Sequence, residues 1–232
     1  MRRKSPDILA IMTILHPLTF LLRFVTSLVG TNVGVQQLKF EMRIAAAAIV
    51  AVIAASVPAS GKTWLKTGGV SKTPFGHYEY CKRGGRHCGS QSAVAPAKMS
   101  ESRWAKVRRI NTAVNKQIKP VLDINSRGVN EYWEIPKSQG DCEDYALLKR
   151  SRMMAAGFKG SQLPLTKVRL PNGQAHIVLV VRTNQGDYML DNLSNRVQPV
   201  SKVRYRFLSM QASNNANNWL TIRGKTRTAA LH

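Results

Sequence analysis

The sequence is short of acids. Of its 232 residues only 12 are Asp or Glu, against 35 Lys and Arg, and the formal net charge is +23. A surface of that sign attracts polyanions: nucleic acid, anionic lipid, acidic cell-surface polymers or acidic protein substrates. The chain has no basic block interleaved with aromatics and no zinc-finger or helix-turn-helix spacing, which argues against specific nucleic-acid binding. It also lacks internal repeats. Cysteine is scarce, with three residues, so at most one disulfide can form and one thiol is left over. What is present is a hydrophobic fraction of 44%, ordinary for a globular protein. The length suits one medium domain plus a targeting region.

The long apolar runs are confined to the N-terminus. From Met42, "MRIAAAAIVAVIAASVPASGKTW" has a single Arg, an uninterrupted apolar stretch and small residues at 57 and 59, as a signal peptide cut after Ala59 would have. Upstream, "DILAIMTILHPLTFLLRFVTSLVG" is long enough to span a bilayer but is interrupted by His16, Pro17 and Arg23. Either residues 1–41 are an over-extended start, or residues 8–29 are a membrane segment. Two export signals in tandem are redundant, so the first reading is preferred. Both deliver the domain outside the cytoplasm, periplasmic or secreted. Cys81 and Cys88 close the short loop "CKRGGRHC", which in an exported chain reads as a disulfide with Cys142 left free. The rival is a metal site using the flanking His77 and His87, disfavoured because adjacent His87 and Cys88 seldom point at one metal.

The organisation predicted is a signal peptide over 42–59, an irregular linker over 60–73 and a domain over 74–225. Residues 60–99 read as an irregular arm. Trp104, Val107, Val114 and Ile118 recur at helical spacing after a capping Ser100, and Pro120 stops the run. A second helix is expected from about Asp141 to Ala156, closed by Gly157. Strand-like runs follow: "TKVRL", "HIVLVVRT" and "YMLDNL", joined by "PNGQ" and "NQGD" turns, then a strand through Val203, Tyr205 and Phe207. Helices followed by an antiparallel sheet make an α+β domain.

One stretch stands out against the shortage of acids: "GDCEDYALLKR" places Asp141, Glu143 and Asp144 around Cys142. In the first turn of a helix the free N–H groups favour a thiolate and can bind an oxyanion. The acids have two readings. They are ordinary helix-start residues, or they belong to a site, in which case something positive must accompany them, since adjacent negative charge opposes thiolate formation. His176 heads the apolar strand, and Asp191 sits on the next. Cys, then His, then Asp or Asn is the thiol-protease order of nucleophile, base and orienter. A tight hairpin at Gln185-Gly186 would pair residues whose numbers sum to 371. That sets His176 opposite Asn195 and Asp191 opposite Val180, making Asn195 the orienter; Asp191 requires a different register or a bulge.

Together, "GDCEDYALLKR", "HIVLVVRTNQGDYMLDNL", "VNKQIKPVLD", "EYWEIP" and "PFGHYEYCKRGGRHC" resemble the bacterial transglutaminase-like cysteine peptidases. Those are exported relatives of periplasmic proteases that release surface adhesins, and the likeness runs over roughly residues 74–220. The resemblance implies a papain/transglutaminase-like α+β fold, helices packed on an antiparallel sheet, with Cys142 as nucleophile, His176 as general base and Asp191 as its orienter. It also implies calcium bound by Asp141 and Glu143 with Asp144. Since calcium takes six to eight oxygens, backbone carbonyls or another loop must contribute, with Asn172 and Asp123 as candidates. The expected activity is hydrolysis of a protein amide through an acyl-thioester, on a cell-surface or periplasmic protein, with an anionic membrane surface as a further contact. The alternatives are acyl transfer to an amine and a non-catalytic envelope binding module.

Overall fold

The computed structural model describes residues 62–224, so the export segments expected within residues 1–59 lie outside the described residues. The first long helix, α2 (Glu101–Gln117), follows α1 (Phe75–Lys82). Ser100 caps α2 by accepting the Arg103 N–H at 3.3 Å, and the expected stripe of Trp104, Val107 and Val114 is buried. A short parallel pair, β2 (Lys119–Pro120) with β3 (Gln139–Gly140), brackets a single-turn helix α3 (Asp123–Arg127) and delivers the chain to helix α4 (Cys142–Ala155). From Glu143 to Arg150 every residue of α4 is buried, so it is the central helix rather than an amphipathic surface one. It ends where Gly157 takes φ +94°. There the Gly157 N–H donates to Met154 and the Phe158 N–H to Met153, with Phe158 buried beneath the turn.

The remaining strands are β1 (Lys66–Ser71), β4 (Leu165–Arg169), β5 (Ala175–Thr183), β6 (Gly186–Leu190), β7 (Gln198–Pro199), β8 (Arg206–Gln211) and β9 (Trp219–Arg223). They form one antiparallel sheet in the order β1-β9-β8-β4-β5-β6-β7. The helices cover one face, where Leu165, Ile177, Leu179 and Val181 meet Ala146 and Leu147 of α4. On the other face Val168, Val178, Val180 and Met189 pack with Val200, Tyr205 and Phe207. A strand buried on both faces reads as a continuous apolar run, which is why "HIVLVV" does not alternate. The domain is α+β, as expected.

Three expectations are corrected. Within the linker expected over 60–73, Lys66–Ser71 is a strand, β1, paired with β9. Just before it, the Trp64 indole donates to the Thr183 carbonyl at 2.9 Å and the Asp187 N–H to the Thr63 carbonyl at 2.8 Å. The arm over 60–99 also contains α1, too short to show a helical period. And the β5–β6 loop is Asn184-Gln185, with Gly186 paired to Thr183 and Leu190 to Leu179. Gly186 already belongs to the strand at φ +115°, where a Cβ would lie 2.9 Å from the Thr63 carbonyl oxygen. The pairing is thereby displaced by two residues from the simple hairpin. Asp191 falls beside Val178 and comes diagonal to His176 on one face.

Cys81 and Cys88 form a disulfide, which sets aside zinc. His77 is buried beside it, and its Nδ1 accepts the Trp219 indole N–H at 3.3 Å. The loop closed is short, so the bond stabilises the domain by about 2–3 kcal/mol in the chain-entropy account. The double variant Cys81→Ala, Cys88→Ala is expected to lose that amount in urea denaturation, and addition of reductant to the parent protein is expected to reproduce the loss.

Candidate active site

Because α4 begins at Cys142, the sulfur stands at the helix N-terminus, where unpaired N–H groups favour negative charge. The half-buried Sγ accepts the Ile177 N–H at 3.4 Å and, as a thiol, donates to Oε2 of Glu143 at 3.1 Å. Ile177 directly follows His176, so the start of α4 and the start of β5 meet at this point. His176 is buried, with Nε2 2.8 Å from Oδ1 of Asp191. That contact engages one ring nitrogen and leaves Nδ1 for proton exchange. The Asp191 carboxylate also accepts the Tyr205 hydroxyl at 2.7 Å and the Leu193 N–H at 3.1 Å. Burial works to raise its pKa, but the bonds from His176, Tyr205 and Leu193 outweigh it and hold the carboxyl below its ordinary value. Asn195 is not at the imidazole; its side-chain oxygen accepts from Asn115 at 3.0 Å.

Two side chains at this site went unread in the sequence. Tyr205 figured only as a strand residue, yet its ring stands edge-on to His176 at 6.2 Å between centroids. Asn115 donates to the Asp191 carbonyl at 2.9 Å. The signal for it was present: Asn111 and Asn115 lie four apart among the apolar positions of α2, and such polar pairs seldom face a core without partners.

Asp141 does not cap the helix. It occupies the cap position, but its side chain makes no cap hydrogen bond. Its Oδ2 accepts the Asp123 N–H at 3.3 Å, and its Oδ1 is buried with no partner. Carboxylate oxygens of Asp123, Asp141 and Glu143 lie within 4.8 Å of one another. Asp144 turns elsewhere: its Oδ1 accepts the Glu134 N–H at 2.8 Å, and its Oδ2 would lie 2.4 Å from a Cβ on Gly140. Asn172 sits in the exposed β4–β5 turn, bonded to Gln174. The clustered oxygens are therefore those of Asp123, Asp141 and Glu143, and Asp144, grouped with them in sequence, lies outside that cluster. Asp123 is brought in by α3, which local sequence does not place.

The electrostatics show the strain. Burial, and then the Asp141 charge, push Glu143 up to about 9, while burial pushes Asp144 up to about 8. Burial, followed by the charge of Glu143, also drives the Cys142 thiol well above its ordinary value. An all-oxygen donor set with an orphaned buried carboxylate oxygen fits a hard divalent cation. A cavity of about 520 Å³ opens beside Asp123 and Asp144, lined also by Arg127, Glu134, Lys137 and Gln139.

No curated protein matches the chain. Among solved structures, the calcium-bound form of Legionella pneumophila LapG is 26% identical, with a TM-score of 0.44 over 54% of this chain and 73% of its own. The EGTA-treated form is 25% identical, at 0.44 over 54% and 69%. A third LapG structure from the same organism is 24% identical, at 0.43 over 50% and 66%. The family model for the bacterial transglutaminase-like cysteine proteinases matches residues 67–227, more than two thirds of the chain, and with it the protein belongs to that family: it is a transglutaminase-like cysteine peptidase.

Proposed function

We propose that the chain is an exported, calcium-dependent peptidase that processes a surface or periplasmic protein, with Cys142 as nucleophile, His176 as general base and Asp191 as orienter. The observation that carries this reading is a pair of contacts at the head of β5, one to Asp191 beyond β6 and one to the start of α4. Nε2 of His176 is 2.8 Å from Asp191, and the N–H of the next residue is 3.4 Å from the Cys142 sulfur. In this mechanism Nδ1 of His176 takes the thiol proton and the sulfur attacks the scissile carbonyl carbon. The oxyanion that forms is met by the Cys142 backbone N–H at the helix start. The imidazolium then protonates the leaving amine, and an acyl-thioester remains on Sγ. Water, deprotonated by Nδ1, attacks that ester; the acid departs and the thiol is restored.

Asp123, Asp141 and Glu143 would hold calcium, and the bound ion supplies positive charge offsetting the carboxylates that oppose the thiolate. The LapG structure named as calcium-bound accords with that ion. Export rests on the signal-like segment over 42–59, which precedes a domain containing a disulfide. Among the described residues no helix is long and apolar enough to cross a membrane. Contact with an anionic membrane surface is favoured by the distribution of charge. Asp123, Glu143, Asp144, Asp187 and Asp191 are buried, leaving the exposed surface largely to Lys and Arg.

Three outcomes are expected. Cys142→Ser should slow hydrolysis at least ~10²-fold, because the alkoxide is far harder to form than the thiolate; unchanged turnover by the purified variant removes Cys142 from the mechanism. Mass spectrometry of the exported protein should find a chain starting near residue 60 with Cys81 and Cys88 oxidised, and a retained residue 1–41 segment would refute the cleavage.

The third outcome concerns calcium and pH. Glu143 and Asp144 have folded-state values of about 9 and about 8, above those of an unfolded chain. Without calcium, the folded state therefore binds more protons than the unfolded one across that window. Its stability is fullest below the unfolded values and falls as pH rises toward 8 and 9. Melting in chelator should show that decline from mildly acidic to alkaline pH. Added calcium should raise the melting temperature most at the alkaline end, and Asp123→Asn with Asp141→Asn should abolish the response. A melting curve indifferent to millimolar calcium at pH 8 would return the acids to a purely structural role.

A further inference from the structure

Lys149 is the one buried lysine among the described residues, 1% exposed on the central helix, and its Nζ has no hydrogen-bond partner. A buried ammonium without a partner is among the costliest groups a fold can hold. Apart from Oδ1 of Asp141 at the oxygen cluster, three more buried polar atoms lack partners: the side-chain oxygens of Asn111, Asn115 and Asn192. All three asparagines bracket the turn that leaves β6. Asn111 donates its side-chain N–H to the carbonyls of Ser194 and Asn195. Asn115 donates to the carbonyls of Asp191 and Ser194, and Asn192 lies in the turn itself. An ammonium carries three N–H donors and no acceptor; a side-chain amide oxygen only accepts. Helices α2 and α4, which carry Lys149, Asn111 and Asn115, pack together through Val114, Ile118, Tyr145 and Leu148.

Resting on the catalytic reading above, we infer that Lys149 is a positioning residue: its ammonium, bridged by water to the orphaned oxygens of Asn111, Asn115 and Asn192, locks the 191–195 turn to the two helices and so fixes Asp191 against His176. The surrounding groups agree. Burial lowers the Lys149 pKa to about 7 and the Asp191 charge works against that fall, so the amine is close enough to feel the orienting carboxylate. The Tyr145 ring lies 5.9 Å from Nζ. Water is a natural bridge here, since a buried site offering several polar partners is one that water occupies.

The test needs no substrate, only alkylation of Cys142 by iodoacetamide at neutral pH in purified protein. Lys149→Met keeps the chain length and removes the donors. It should melt cooperatively yet alkylate between about tenfold and a hundredfold more slowly, the scale of a misplaced catalytic group. Asp191→Asn should slow the reaction comparably, and Lys149→Met added to Asp191→Asn should cost little more, because the two act through one contact. A structural role alone predicts independent, multiplying losses, and that result overturns the inference, as does a wild-type rate in Lys149→Met. If Asp191→Asn itself reacts at the wild-type rate, the catalytic reading falls and takes this one with it. Should Lys149→Met not fold, the parent protein decides by nitrogen-15 NMR. A protected Lys149 ammonium signal with proximity to the side-chain amides of the three asparagines supports the lock; an amine exchanging freely with solvent refutes it.

Discussion

A buried carboxylate with nothing left unsatisfied holds the site together. Asp191 reaches the core at the end of a short strand, where an isolated charge would be intolerable. It stays there because an imidazole, a phenol and a backbone amide all direct hydrogen bonds at it. Each donor comes from a different part of the fold: the head of β5, the approach to β8 and the turn beyond β6. Satisfying one charge therefore orders three segments, and the orientation of His176 is a by-product of that demand.

The thiol is governed by the opposite problem. Helix position and the Ile177 N–H favour its ionisation, whereas burial and the neighbouring acids oppose it. Asp123, Asp141 and Glu143 crowd their oxygens together, and Asp141, at the cap position, makes no side-chain cap hydrogen bond. In a chain so poor in acids, gathering them where they repel one another is hard to explain by stability alone. It is explicable when a cation shares the space.

Much of this was legible in the sequence, and the failures have a common cause. The helix over Glu101–Gln117, the helix at Cys142, the β5 run and the Cys-His-Asp order all follow from local pattern and from motif. Long-range pairing does not. The strand at Lys66–Ser71 hid in Gly- and Ser-rich composition because its reason for existing is β9, some 150 residues later. The grouping of Asp144 with Asp141 and Glu143 follows adjacency in sequence, whereas Asp123, one of two candidates for a further oxygen, is placed beside them only by the fold. The hairpin pairing was displaced by two residues, since which residues form a two-residue loop is decided by the segment at Thr63 and Trp64 lying across it. Asp191 and not Asn195 faces the imidazole for that reason.

That same edge of the sheet sets the order in which the domain can be completed. The first strand of the domain pairs with the last, and β9 separates β1 from every other strand. No earlier portion of the chain can stand in for it, so closure of the sheet waits for residues 219–223. Contacts of such sequence separation slow folding. A chain leaving a ribosome or a membrane pore from its N-terminus therefore holds β1 unpaired almost to the end, with the central helix and its thiol threaded through before the edge is sealed. Proteolytic protection of the N-terminal strand thus becomes a clock for chain completion.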